Sequence, residues 1–102
     1  MRAKKVDANH SAIVAHLRSI GWRVWDSSAV GRGFPDLVVS HTRTGETCLV
    51  EVKAGRGELN EIQRGFRDKW PGPVFVVRSP DDATRQLTLW LLSKLRPIGT
   101  PG

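Results

Sequence analysis

Apolar residues recur at helical spacing from about Asn9 to Ile20, where Ile13, Leu17 and Ile20 form a stripe that Val14 widens. Gly21 supplies a stop signal. Trp22-Arg23-Val24-Trp25 alternates and predicts a short strand. Small residues from Ser27 to Gly33 make a loop, and Asp36 to Ser40, rich in Leu and Val, predicts a second strand. Thr42-Arg43-Thr44-Gly45 reads as a turn, so Thr47 to Lys53 returns as the other half of a hairpin. After a loop from Gly55 to Glu58, Asn60 can cap a helix whose third residue is Gln63, the spacing of a capping box. Pro73 to Arg78 is a further strand; its unbroken run Val74-Phe75-Val76-Val77 predicts burial on both faces. Ser79-Pro80-Asp81-Asp82 opens a last helix with a capping serine, proline at the first turn and acids at the positive end. That helix carries Leu87, Trp90, Leu91 and Leu95 and runs to about Leu95. The order α-β-β-β-α-β-α defines an α/β fold with a mixed β-sheet flanked by helices.

The 102 residues suit one domain, expected over 9–96, between a basic arm at 1–8 and a Pro/Gly tail at 97–102. Hydrophobic residues at 39% and charged residues at 25% fit a folded chain rather than a disordered one. The net charge of +6, with arginine outnumbering lysine, suits a polyanion such as nucleic acid, although charge alone serves solubility equally well. A single cysteine, Cys48, excludes an internal disulfide and a Cys-rich zinc site, and points to a reducing, cytoplasmic setting. The charged start Met1-Arg2-Ala3-Lys4-Lys5 has no apolar run after it, which argues against a signal peptide, and no stretch is long enough to span a bilayer.

Candidate chemistry begins with Pro35-Asp36 followed by Glu51-Val52-Lys53. Alternation along a strand puts Glu51 and Lys53 on one face and Val50 and Val52 on the other. Charges at the end of an apolar strand are unfavourable without a partner or a function. With the turn centred on Arg43-Thr44, Asp36 falls opposite Glu51, a pairing that brings Cβ atoms to about 4.5–5.5 Å. Carboxylates that close repel unless a cation neutralises them, and oxygen-only donors favour Mg²⁺ or Mn²⁺. The Val52 carbonyl could add a ligand, while Lys53 could orient a water or offset transition-state charge. The bland alternative is a solvated hairpin with a Glu-Lys pair.

Gly31-Arg32-Gly33-Phe34-Pro35-Asp36, then Leu49-Val50-Glu51-Val52-Lys53, then Leu59-Asn60-Glu61-Ile62-Gln63 resembles the PD-(D/E)xK nuclease superfamily. Within it the chain resembles a stand-alone VRR-NUC domain of the phage and bacterial type, from Asp7-Ala8-Asn9 to Val77-Arg78-Ser79. The resemblance implies a restriction-endonuclease-like core, a divalent metal, and cleavage of DNA, often at branched structures. It implies Asp36 and Glu51 as metal ligands, Lys53 as the catalytic lysine and Gln63 as the glutamine on the following helix. Such domains resemble Holliday-junction resolvases in architecture and tend to form homodimers. One position departs from the pattern: relatives commonly carry a glutamate after Asp-Ala-Asn, where this chain has His10. His10 is either a ligand for a softer ion or a surface residue without a role, and Asp7 is a weaker substitute.

Around this set, Arg32 between two glycines could clamp a phosphate, and Ser27 and Ser28 could touch the DNA backbone. Arg56, Arg64 and Arg67, with Lys69, are further phosphate contacts or a solvated helix face. Gln63 would both close the capping box and be presented towards the metal-bound water. Trp22, Trp25, Trp70 and Trp90 are assigned to core or interface rather than to base stacking, and the Leu87–Leu95 stripe could furnish a dimer face. His16 and His41 receive no role. The preferred reading is a structure-selective endodeoxyribonuclease that resolves four-way junctions as a homodimer. The alternatives are a nuclease of the same fold acting on flaps, nicks or duplex, and a DNA-binding module that no longer cuts.

Overall fold

A computed structural model describes residues 8–95. The tail at 97–102 and, apart from Ala8, the basic arm lie outside the described residues, as does Asp7. Seven elements follow in order: α1 (Ala8–Ser19), β1 (Trp22–Asp26), β2 (Leu37–His41), β3 (Thr47–Val52), α2 (Glu61–Lys69), β4 (Val74–Val77) and α3 (Pro80–Lys94). The strands form one sheet in the order β1-β2-β3-β4, antiparallel through β3 and parallel between β3 and β4. The sheet is therefore mixed, as the order of elements predicts. A loop over 27–36 joins β1 to β2 and a short turn joins β2 to β3, whereas β3 reaches its parallel neighbour only through α2.

Alternation along the strands sorts the sheet into two unlike faces. Trp22, Val24, Leu37, Val39, Cys48, Val50, Val52 and Val77 pack with Ile13 and Leu17 of α1 and Ala83 and Leu87 of α3 into one core. Both helices thus cover the same face, joined by a 2.6 Å hydrogen bond between His16 Nε2 and Thr84 Oγ1. The opposite face carries Arg23, Trp25, Val38, Ser40, Leu49 and Glu51 by the same alternation. Cys48 lies on the buried side, and burial pushes its thiol up to about 12. Among the described residues no helix is long and apolar enough to cross a membrane.

Three local expectations change. β4 is an edge strand rather than one covered on both faces: only Val77 is buried, and Val76 lines an open pocket with Arg64, Arg67 and Arg78. Ile20 follows the end of α1 and is exposed, so it adds nothing to the core stripe. On α3, Leu87 is buried and Trp90 and Leu91 pack partly on the core, whereas Leu95 caps the helix and is exposed with Leu89 and Leu92.

Candidate active site

The hairpin sets the geometry. Leu37 pairs with Val50, which is the register given by a turn centred on Arg43-Thr44, and continuing it by one residue puts Asp36 opposite Glu51. Asp36 stands just before β2, because its carboxylate replaces the next rung of the ladder: Val52 N–H donates to Asp36 Oδ2 at 3.0 Å. The chain is held on the other side by Ser27 N–H donating to the Asp36 carbonyl at 2.7 Å. Lys53 lies just beyond β3, anchored by its N–H to the Val77 carbonyl at 3.0 Å.

Glu51 is the unusual member, since at 4% exposure it is a buried charged residue. Burial pushes its carboxyl up to about 7 from the usual 4.5. The neighbouring Asp36 carboxyl adds to the rise, and the Lys53 ammonium opposes it. Lys53 Nζ stands 3.7 Å from Glu51 Oε2. Gln63 Nε2 donates to the same oxygen at 3.0 Å.

Gln63 reaches Glu51 because it is locked into the start of α2. Asn60 Oδ1 accepts from Gln63 N–H, and Gln63 Oε1 accepts from Asn60 N–H, each at 2.9 Å. The carbonyl end of the amide is therefore spent on the cap, which leaves the NH₂ end for the carboxylate. Gln63 thus closes the capping box and also reaches Glu51, rather than being left free to face a water. α2 itself is seated by close approach of the preceding loop. Gly33 has φ +82, and a Cβ there would lie 2.6 Å from the Ile62 carbonyl oxygen, so only glycine fits. Phe34 then packs edge-on against Phe66, which stacks on Trp70.

Arg32 also has positive φ, 59°, a strained setting for a side-chain-bearing residue, worth about 1–3 kcal/mol. It is exposed and lines an open pocket of about 270 Å³ with Ser28, Asp36, Asn60 and Gln63. Ser27 is not placed for DNA: it is buried, and its hydroxyl donates to the Pro35 carbonyl at 2.8 Å, fixing the loop that carries Asp36. Ser28 borders the pocket, but its hydroxyl donates to Asp26 at 2.6 Å. Arg64 is tied to the Leu59 carbonyl at 2.6 Å. Arg56 and Arg67 are exposed, Arg67 within 3.9 Å of Asp68.

Two positioning residues escaped the sequence reading. Arg78 Nη1 donates to the carbonyls of Gly55, at 2.9 Å, and Gly57, at 2.6 Å, clamping the loop that follows Lys53. Asn9 Nδ2 donates to the Arg78 carbonyl at 3.0 Å and reaches that of Lys53 at 3.5 Å. Asn9 lies inside the Asp-Ala-Asn segment, so a signal existed; Arg78, at the end of an apolar strand, gave none.

The donor set fits a hard divalent cation. Two carboxyls share a buried corner where one is driven towards its protonated form, and a cation there would relieve that repulsion. Among the described residues no group of three or more His, Cys, Asp or Glu side chains gathers, so His10 does not join the two acids. His10 lies on the core side of α1, and its Nε2 is buried without a hydrogen-bond partner.

A mixed sheet with helices on both sides, bearing Asp, Glu and Lys at the meeting of β2 and β3, is a restriction-endonuclease-like core. The chain belongs to the VRR-NUC domain family, whose sequence profile matches residues 2–70. That membership makes it a nuclease-type domain, with DNA as the partner, from a family generally dependent on metal ions. No curated protein and no solved structure matches the chain.

Proposed function

We propose that the chain is a divalent-metal-dependent, structure-selective endodeoxyribonuclease that cuts branched DNA, resolving four-way junctions as a homodimer. The observation that carries this reading is Glu51: a buried carboxyl beside Asp36, with Lys53 and Gln63 both directed at its Oε2. A structural hairpin gains nothing from such an arrangement, because burying an acid against an acid is unfavourable. Asp36, Glu51 and the Val52 carbonyl would hold Mg²⁺ or Mn²⁺, which supplies Lewis acidity at the scissile phosphate and favours a hydroxide nucleophile.

Hydrolysis forms one bond from water oxygen to phosphorus and breaks one bond from phosphorus to a sugar oxygen. Lys53 carries a positive charge to where negative charge grows on the phosphoryl oxygens, in a partly buried corner that strengthens its effect. Gln63 holds Glu51 in orientation from a helix terminus it also caps. Arg32, with Arg56, Arg64 and Arg67 further out, supplies phosphate contacts. A homodimer with a twofold axis would set two such sites for paired nicks. The exposed Leu89, Leu92 and Leu95 on one side of α3 offer an apolar face for that pairing.

The test compares labelled four-way junction, flap, nicked duplex, intact duplex and single strand, each with Mg²⁺, Mn²⁺ or EDTA. Junction cleavage is expected with either ion and none with EDTA. Lys53→Ala and Asp36→Asn should abolish cleavage and largely spare binding; normal cutting by both variants overturns the site. Preference for flaps over junctions would retain the nuclease and overturn the resolvase.

A further inference from the structure

The uncovered half of the sheet joins the candidate site. Asp36, Val38 and Ser40 alternate onto one face of the second strand, and Trp25 and Arg23 pair with Val38 and Ser40 on β1. α1 and α3 take the opposite face, so these residues stand on the face that carries Glu51. Trp25 is 74% exposed, the most exposed large hydrophobic residue among the described residues. An aromatic of that size, left on a sheet face in water, has lost most of the burial that would otherwise explain it. Arg23 beside it is exposed and makes no ion pair among the described residues. Arg18 borders the same cleft, held by its guanidinium to the Val24 carbonyl at 3.0 Å. Asp26, which follows Trp25 in sequence, accepts from the backbone and hydroxyl of Ser28 and alternates onto the other face. The cleft around this edge is about 610 Å³, within the range of about 300–1,000 Å³ that accepts a ligand of nucleotide size.

We propose that this face, with Trp25 as a stacking platform and Arg23 as a phosphate contact, binds an unpaired nucleotide of the DNA strand next to the cleaved bond. The inference rests on the nuclease reading above and narrows its substrate to DNA with an unstacked base beside the cut. Two strand residues span about 6.6 Å and neighbouring strands lie about 4.8 Å apart, so the Trp25 and Asp36 backbones are about 8 Å apart. A nucleotide adjacent to a phosphate at Asp36 can reach that far. Stacking on an aromatic suits any base, and Arg23 on the same face, with Arg18 at the β1 edge, can follow the backbone, the two parts of a single-strand track. A base inside intact duplex has no free face to offer Trp25, so selection for unpaired DNA follows from the same contact. A second copy of the chain is the weaker occupant, because Arg23 and the edge residue Arg18 would meet their own like charges.

The test uses the whole 102-residue chain in EDTA, so that binding is read without cleavage. The probes are a dT oligonucleotide and a flap carrying 2-aminopurine as its first unpaired base, each against blunt duplex. Trp25→Ala should weaken single-strand and flap binding about ten-fold and abolish the 2-aminopurine quenching, and Trp25→Phe should restore most of both. Duplex affinity should barely change. Arg23→Gln should weaken all probes and lower the salt slope by about one. Because Trp25 is exposed, unchanged melting of the variants is expected and confirms that the loss is local. Equal loss on duplex and single strand, or no loss, overturns the proposal. So does a Trp25→Ala protein that changes only its sedimentation, which would make the face an interface between copies. Trp25-dependent binding without cleavage under any metal would retain this inference and overturn the nuclease; Lys53-dependent cleavage indifferent to Trp25 would do the reverse.

Discussion

Replacing Glu51 by glutamine should make the metal-free protein more stable at neutral and alkaline pH while abolishing cleavage. Glu51 holds its proton more tightly in the folded chain, at about 7, than the usual 4.5 expected when unfolded. The folded state therefore gains from the protonated acid below about 4.5, and that gain disappears as pH rises through about 7. Seen from the alkaline side, ionised Glu51 opposes folding by about 3 kcal/mol at most, taking 1.36 kcal/mol for each tenfold change in proton affinity. Glutamine keeps the shape and an oxygen for Gln63 Nε2, removes the repulsion by Asp36, and loses the attraction of Lys53. A net gain of about 1–3 kcal/mol at pH 8 is expected, or about 5–15 °C in Tm for a chain of this size. Thermal unfolding in EDTA from pH 4.5 to 8 measures it. The variant and the parent should coincide at pH 4.5 and diverge through pH 7, and the difference between them isolates Glu51 from the other carboxylates. Added Mg²⁺ should close the gap by raising the parent's Tm alone, since a ligand stabilises the state that binds it. A variant no more stable than the parent at pH 8 would refute the claim that Glu51 is a strained group kept for its chemistry.

Gly33→Ala should lower stability by about 1–3 kcal/mol and reduce cleavage more than binding, because a Cβ cannot sit 2.6 Å from the Ile62 carbonyl unless α2 and Gln63 move; urea unfolding and turnover assays read both. Asn60→Ala should remove about 1 kcal/mol of helix capping and free the Gln63 amide to turn, so kcat should fall with KM little changed, whereas an unaffected kcat would limit Asn60 to the cap. Cys48 is buried with its thiol pushed up to about 12, so a thiol reagent at pH 8 should label it only in denaturant; fast labelling of the native protein would contradict the packing. Arg78→Ala should loosen the loop at Gly55 and Gly57 and speed its proteolysis without shifting the global melt by more than a few degrees.

Most of the fold was legible because the local signals agree. The alternation of Trp22 to Trp25, the Thr42–Gly45 turn and the Asn60–Gln63 box each specify geometry through neighbours in sequence, and each stands where expected. The hairpin arithmetic also gave the opposition of Asp36 and Glu51, since antiparallel register follows from the centre of a turn. What stayed hidden depends on partners distant in sequence. An apolar run at Val74–Val77 reads the same for a central strand as for an edge strand, and the position of β4 is settled only by its pairing with β3. Ser27 looks like a free loop hydroxyl until Pro35 folds back over it. Arg78 looks like a solvated strand end until the Gly55–Gly57 loop closes on it.

The two faces of the sheet explain why the site sits where it does. α1 and α3 fill one face with apolar side chains, and the residues that complete that core from the C-terminal end, Val77, Ala83 and Leu87, lie outside the matched segment 2–70. The matched segment holds Asp36, Glu51, Lys53 and Gln63 together with Trp25. The stretch after Trp70 therefore acts on the site through support: β4 anchors Lys53 by a backbone hydrogen bond, and Arg78 closes the loop behind it. The short helix α2 meets the second face through Gln63 at Glu51, which is buried, while Trp25 is left in solvent. If α2 were long enough to cover the whole face, Asp36 would be shut away from a strand of DNA. If it were absent, Glu51 would be solvated and its carboxyl would return towards the ordinary range, losing the desolvated pair of acids that makes the corner a cation site. Partial cover is thus the condition for both properties at once. Extending α2 across Trp25, or deleting its capping box, should remove one of them while the α1–α3 core keeps the chain folded.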